Sequence, residues 1–253
     1  MTAPRVSLLG VRVTAFDLPT AVAEMQPAIA AGQRTYVCTC PVYTLMQGHE
    51  RPEVRAALNG AGWVTPDGMP VVWALRLCGV QAVGRVYGPD LMLALSEVAA
   101  QQGQAQFYLG GEPGVADALA QNLQRRFPGL PVAGTYSPPF RASTPAEEDA
   151  LIQLINASGA AVVWVGLGSP KQDLWMARYR SRLHAPLLIG VGAAFDFLTG
   201  RQRQAPRWMQ RPGLEWLFRL ASQPGRLWRR YLIYNPKFLW HLTLQLTGLR
   251  RYD

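Results

Sequence analysis

The chain has 253 residues, enough for one large domain or a domain with an appendage, and folding should bury roughly 70–75% of its unfolded surface. With 49% hydrophobic and 16% charged residues, and glycine and proline spread along its length, it is neither disordered nor collagen-like nor a coiled coil. Its net charge of +9 is local: residues 1–200 hold 14 basic and 14 acidic side chains, whereas residues 201–253 hold 11 basic and 2 acidic, along with Trp208, Trp216, Trp228 and Trp240. This pattern predicts a neutral body over 1–200 and a basic, aromatic appendage over 201–253 that seeks an anionic partner.

Short β-branched or aromatic runs alternate with helical patterns through the body. Strands are predicted at 11–16, 35–39, 63–65, 105–109, 132–136, 161–165 and 186–191. Helices are predicted near 18–31, 42–59, 69–77, 89–102, 113–127, 144–157 and 170–183. The alternation implies an α/β, Rossmann-like fold, a mainly parallel sheet flanked by helices. Thr144-Pro145-Ala146-Glu147 carries the residues of a capping box with proline at the first helical position. Beyond Gly200, prolines at 212, 224 and 236 divide the appendage into two or three short helices. Within it Arg226, Arg229 and Arg230 share one helical face, and forked guanidinium groups suit bidentate phosphate recognition.

Three cysteines are too few for a disulfide framework, and Cys38-Thr39-Cys40 lies on a strand pattern that suits burial better than zinc. The first apolar run, Val6-Ser7-Leu8-Leu9, is too short for a signal peptide, and no run of ~18–20 apolar residues occurs. A reduced, cytoplasmic protein without a spanning helix is expected.

Open parallel sheets bind ligands at the carboxyl ends of their strands. Three glycine turns follow predicted strands there: Gly110-Gly111-Glu112-Pro113-Gly114, Gly166-Leu167-Gly168-Ser169-Pro170-Lys171-Gln172, and Gly190-Val191-Gly192. Each suits a plain strand–helix turn or an anion site, and together they favour a nucleotide-type ligand. None completes the dinucleotide or Walker pattern. Asp67, in Thr65-Pro66-Asp67-Gly68, is either a turn aspartate or a general base beside an apolar pocket. Asp196 is either an N-cap or a ligand for ribose or base donors, and Arg85 with Asp90 reads as an ion pair beside a glycine turn. His49, His184 and His241 show no metal-ligand or triad spacing, and neither a G-x-S-x-G elbow nor a D-x-D pair occurs.

In their order and spacing these pieces resemble the WecG/TagA/CpsF glycosyltransferases, glycosyltransferase family 26. The matching residues are Pro66-Asp67-Gly68, Arg85 with Gly88 and Asp90, Gly110-Gly111-x-Pro113-Gly114, Gly166-Leu167-Gly168-x-Pro170-Lys171-Gln172, Gly190-Val191-Gly192 leading to Phe195-Asp196, Ala205-Pro206-x-Trp208, and Gly213-Leu214-Glu215-Trp216-x-x-Arg219-Leu220 with Pro224-x-Arg226. The resemblance implies inverting, metal-independent transfer of a sugar from a UDP-sugar to a polyprenyl-diphosphate-linked sugar. The reaction would take place on the cytoplasmic face of the membrane during polysaccharide synthesis, with no cofactor. It implies Asp67 as catalytic base, with Thr39 and Gln172 holding the sugars. Donor contacts would come from Gly110, Gly111, Gly166, Gly168, Lys171, Arg85 and Asp196, and Arg219, Arg226 and Arg229 would hold the lipid diphosphate. It also implies self-association that covers the appendage away from the membrane.

Two positions depart from the family pattern: Thr39-Cys40-Pro41 stands where many members carry T-x-N, and Asp173 follows Gln172 where they carry Glu. Loss of that amide implies a donor or acceptor beyond the N-acetylmannosamine type, such as glucose or a uronic-type sugar. A catalytically silent, membrane-associated scaffold of the same fold is the alternative. The basic tail also suits nucleic acid, but that reading leaves the glycine turns and Asp67 without a use, so no nucleic-acid partner is expected.

Overall fold

The computed structural model describes residues 3–139 and 141–252. The elements run β1 (Arg5–Leu8), β2 (Val11–Thr14), α1 (Leu18–Ala30), β3 (Thr35–Cys40), α2 (Val42–Glu50), α3 (Pro52–Asn59), β4 (Trp63–Pro66), α4 (Met69–Leu77), α5 (Gly88–Gln102), β5 (Gln106–Gly110), α6 (Val115–Arg126), β6 (Val132–Tyr136), α7 (Pro145–Ala157), β7 (Val162–Gly166), α8 (Lys171–Tyr179), β8 (Leu187–Gly190) and α9 (Ala194–Leu198). The tail adds α10 (Arg207–Gln210), α11 (Glu215–Ser222), α12 (Pro224–Trp228), a π-helical turn (Arg229–Ile233) and α13 (Tyr234–Leu246).

Strands β3 to β8 form one parallel sheet in the order β4-β3-β8-β7-β5-β6, the Rossmann-like α/β arrangement expected. Its central strands are buried on both sides, as a parallel sheet between two helical layers requires. Alternate residues serve the two layers: Phe107, Leu109, Val163 and Val165 face α2, α3, α4, α7 and α8, while Tyr108, Val162 and Trp164 face α1, α5, α6 and α9. Thr144 and Glu147 make the reciprocal bonds of the expected capping box at α7.

The structure differs from the sequence-based expectation in three places. The predicted helix over 42–59 is two helices, because Pro52 sits at the first position of α3 and biases Arg51 to an extended conformation. Residues 5–8, read only as part of an apolar run, form a strand antiparallel to β2. Its turn places Leu9 and Gly10 at φ of 53° and 86°, and buried Leu9 carries none of the usual Asn-Gly signal. Distant residues hold this turn: Gln245 accepts from the Leu9 N–H at 2.8 Å and donates to the Ser7 carbonyl at 2.8 Å. Pro236 does not end a helix but falls in the first turn of α13, where a missing N–H costs least.

The last helix is packed into the body. Phe238 and Leu242 join the core layer that contains Leu45 and Met46 of α2. Around them Lys237 pairs with Glu50 at 2.7 Å, Gln47 donates to the Tyr234 hydroxyl at 3.0 Å, and the His49 and His241 rings meet at a tilt with centroids 4.5 Å apart. Phe238 is 2% exposed, so Phe238→Ala is expected to cost about 3–5 kcal/mol through lost burial and a cavity, read as a lower urea midpoint at unchanged slope.

Candidate active site

The carboxyl ends of β3, β4, β7 and β8 open into a cleft of about 800 Å³, roofed by α10 to α12 and the π-helical turn. The main-chain frame is set at the strand exits. The Asp67 N–H donates to the Cys40 carbonyl, the Val86 N–H donates to the Pro66 carbonyl, and Gly68 at φ 153° starts α4. Asp67 therefore projects from the junction of β4 and α4 onto the cleft floor, with only 17% of its side chain accessible.

The surroundings of Asp67 explain its chemistry. Its Oδ1 has no hydrogen-bond partner among the described residues, and Arg85 Nη2, 3.9 Å away, makes an ion pair with it outside hydrogen-bond reach. Burial outweighs the attraction of Arg85 and pushes the carboxyl up to about 6. The Arg85 fork is engaged elsewhere. It donates to Glu215 in a short ion pair and to Gln210 at 3.3 Å, and its guanidinium lies over the Tyr87 ring at 3.9 Å. The expected Arg85–Asp90 pair is not formed, because the tail brings Glu215 to Arg85 while Asp90 turns outward in the first turn of α5.

Thr39 and Gln172 both line the cleft and both brace the exit of β8. The Thr39 hydroxyl donates to the Gly190 carbonyl at 2.8 Å, and Gln172 Oε1 accepts the Gly192 N–H at 3.0 Å. A Cβ on Gly190 would stand 2.7 Å from Met176 and 2.9 Å from Gln172, so only glycine fits above them. Beneath this layer lies an acid that sequence reasoning treated only as a departure from a motif. Asp173 is fully buried, accepts from the Ser169 hydroxyl at 2.5 Å, and is raised by burial to about 6. Thr44 donates to the same Ser169, so one chain of hydroxyls ties α2 to the 166–170 turn.

The glycine turns divide into two kinds. A Cβ on Gly110 would meet the Gly166 backbone at 2.6 Å, so this pair serves the close approach of β5 and β7, and Gly110 itself does not line the cleft. Gly111, Gly166 and Gly168 do line it, and Gly168, at φ 77°, has open space where a side chain would stand, just before α8 and Lys171. Asp196 also faces the cleft. It is not an N-cap, since Ala193 caps α9, and its carboxylate accepts from Gln202 at 3.0 Å.

The cationic wall comes from the tail. Arg219 and Arg226 line the cleft, Arg219 lying over the Phe197 ring. Arg229 does not: it is exposed and stacks on Trp228, while Arg230 lies in the cleft wall over the Tyr43 ring at 4.6 Å. Of the three arginines 226, 229 and 230, only Arg226 and Arg230 line the cleft, the chain passing from α12 into the π-helical turn between them. Burial, reinforced by neighbouring Arg219, holds the Arg230 pKa below its ordinary value. None of Arg219, Arg226 and Arg230 has a salt-bridge partner among the described residues.

Among the described residues no group of three or more His, Cys, Asp and Glu side chains is placed to hold a metal ion, and Cys38 and Cys40 are buried free thiols. No helix among the described residues is long and apolar enough to cross a membrane. Of the large apolar side chains exposed among the described residues, all but Trp73, Leu77 and Leu154 lie after residue 206, with Trp208, Trp240 and Leu249 at 69%, 63% and 78%. A cleft at the strand ends of a Rossmann-like sheet, with a largely buried carboxylate below and, among the described residues, arginines free of salt bridges above, suits a reaction between anionic substrates. Residues 6–252 match the family described as the Glycosyl transferase WecG/TagA/CpsF family, and the chain belongs to this family of glycosyltransferases.

Proposed function

We propose that the protein transfers a sugar, with inversion, from a UDP-sugar to a polyprenyl-diphosphate-linked sugar at the cytoplasmic face of a membrane. The observation that carries this reading is Asp67, a carboxylate raised to about 6 with an unpartnered oxygen, beneath a wall of arginines that have no salt-bridge partner among the described residues. The donor diphosphate lies against the turn at 166–168 and the start of α8, near Lys171, with Asp196 reaching the nucleoside and Thr39 and Gln172 shaping the sugar site. Asp67 takes the proton from the acceptor hydroxyl as its oxygen bonds to the anomeric carbon. On the opposite face the bond from that carbon to the UDP oxygen breaks, and UDP leaves with the electron pair. Fixed N–H dipoles and arginines stabilise the departing charge in place of a metal.

Arg219, Arg226 and Arg230 hold the acceptor's diphosphate. Arg229 with Trp228, and exposed Trp208, Leu239 and Trp240, meet the leaflet, each arginine near an anionic surface adding about 1 kcal/mol. Pro41 lines the cleft where relatives carry an amide, which favours a donor that needs no contact from that position, glucose or a uronic-type sugar as well as N-acetylmannosamine. The test is UDP release from a panel of UDP-sugars with a short-chain polyprenyl-diphosphate-sugar. One donor is expected to release UDP only when acceptor is present. Release that is indifferent to acceptor would refute the transfer.

A further inference from the structure

Asp67 and Arg85 form an ion pair but no hydrogen bond. Asp67 Oδ1 and Arg85 Nε are each buried without a hydrogen-bond partner, and 3.9 Å separates the carboxylate from Nη2. A carboxylate and a guanidinium so close normally close into a bidentate pair, which would satisfy both. Here the fork is drawn away by two residues of the tail, Glu215 at the start of α11 and Gln210 at the end of α10, and is held flat by Tyr87. On the reading that Asp67 is the catalytic base, we infer that Glu215 is a positioning residue: it holds the Arg85 fork off Asp67 and so keeps that carboxylate free to accept the acceptor's proton.

The placement of Glu215 gives the device a second consequence. Arg219, in the diphosphate wall, lies one helical turn further along α11, so one helix carries both the acceptor's anion contact and the group that frees the base. When α11 is seated over the cleft, Glu215 engages Arg85 and the base is competent. The charged and titratable groups that bear on Asp67 are Arg85, Glu215, Arg219 and Arg230, with Tyr87 and the Cys40 thiol also close by. Among these only Glu215 both adds negative charge and restrains the fork.

The test is the pH dependence of the single-turnover rate. In Glu215→Gln the freed Arg85 fork and the lost negative charge both favour ionised Asp67. The acidic limb of the profile is therefore expected to move down by about 1–3 pH units, and the plateau rate to fall with the weaker base. Glu215→Asp, which keeps the charge but shortens the reach, is expected to move the limb the same way by less, and it serves if Glu215→Gln does not fold. A merely structural role would change the rate or the acceptor KM and leave the limb in place, and an unmoved limb in these variants overturns the inference. If Asp67→Asn abolishes turnover while the limb stays fixed in the Glu215 variants, only the role of Glu215 fails. If Asp67→Asn turns over normally, the base assignment beneath it fails instead.

Discussion

Asp67→Asn is expected to lower the turnover number at least ~100-fold, the usual scale for loss of a general base, while leaving the protein folded. Asparagine keeps the shape of the side chain but has no carboxylate to take the acceptor's proton. The wild-type profile sharpens the test. Asp67 works as the carboxylate, and burial raises its pKa to about 6, so the rate should climb with pH below about 6 and level off above about 7. Asp67→Asn should lose that limb together with the rate. Stability should move the other way. A carboxyl raised in the folded state contributes stability below its unfolded pKa, and the contribution is lost as pH rises through about 6. Above that pH the ionised, unpartnered group weighs against folding, and Asp67→Asn is expected to melt no lower than wild type at pH 7.5. A variant that melts normally and retains wild-type turnover would remove Asp67 from the chemistry.

The body was readable from the sequence because its signals are local. Runs such as Val162–Gly166 and Leu187–Gly190 are apolar enough to be buried strands whatever surrounds them, and the glycine turns after them mark the ligand end of the sheet. Thr144 and Glu147 are three residues apart, so their capping box is visible without tertiary knowledge. What escaped depends on distant chain. Leu9 adopts a positive φ because Gln245, 236 residues away, holds both sides of its turn. Arg85 pairs with Glu215 across 130 residues, and spacing within its own glycine turn pointed to Asp90 instead. Glu215 was visible only as a letter in a family motif. Arg230 shared a helix face with Arg226 and Arg229, but which of them turns to the cleft was decided by the seating of the tail against Tyr43. Asp173, fully buried and tied to Ser169, read as a one-methylene change in a motif when it is part of the framework under the site.

Arg230→Met is expected to raise the KM for a short-chain polyprenyl-diphosphate-sugar about 10- to 150-fold and to leave the donor KM nearly unchanged. Hydrogen bonds from a charged group to an anion contribute about 1.5–3 kcal/mol, which converts to that range. The geometry makes Arg230 the most demanding of the tail cations. It sits in the cleft wall over the Tyr43 ring, beside Arg219 and without a salt-bridge partner among the described residues, and burial already disfavours its charge. A cation in that position costs folding free energy until an anion arrives. Arg230→Met should therefore lose affinity without losing stability, and its melting temperature should match or exceed that of wild type. Arg229 supplies the contrast, because it is exposed over Trp228 and lies outside the cleft. Arg229→Gln should leave the KM for a short-chain acceptor unchanged and weaken binding to vesicles rich in anionic lipid about fivefold, the effect of about 1 kcal/mol. Measuring both substitutions in both assays separates diphosphate recognition from leaflet attraction. Equal effects of the two on the short-chain acceptor would mean that tail charge acts only as a diffuse field and that the cleft wall holds no diphosphate.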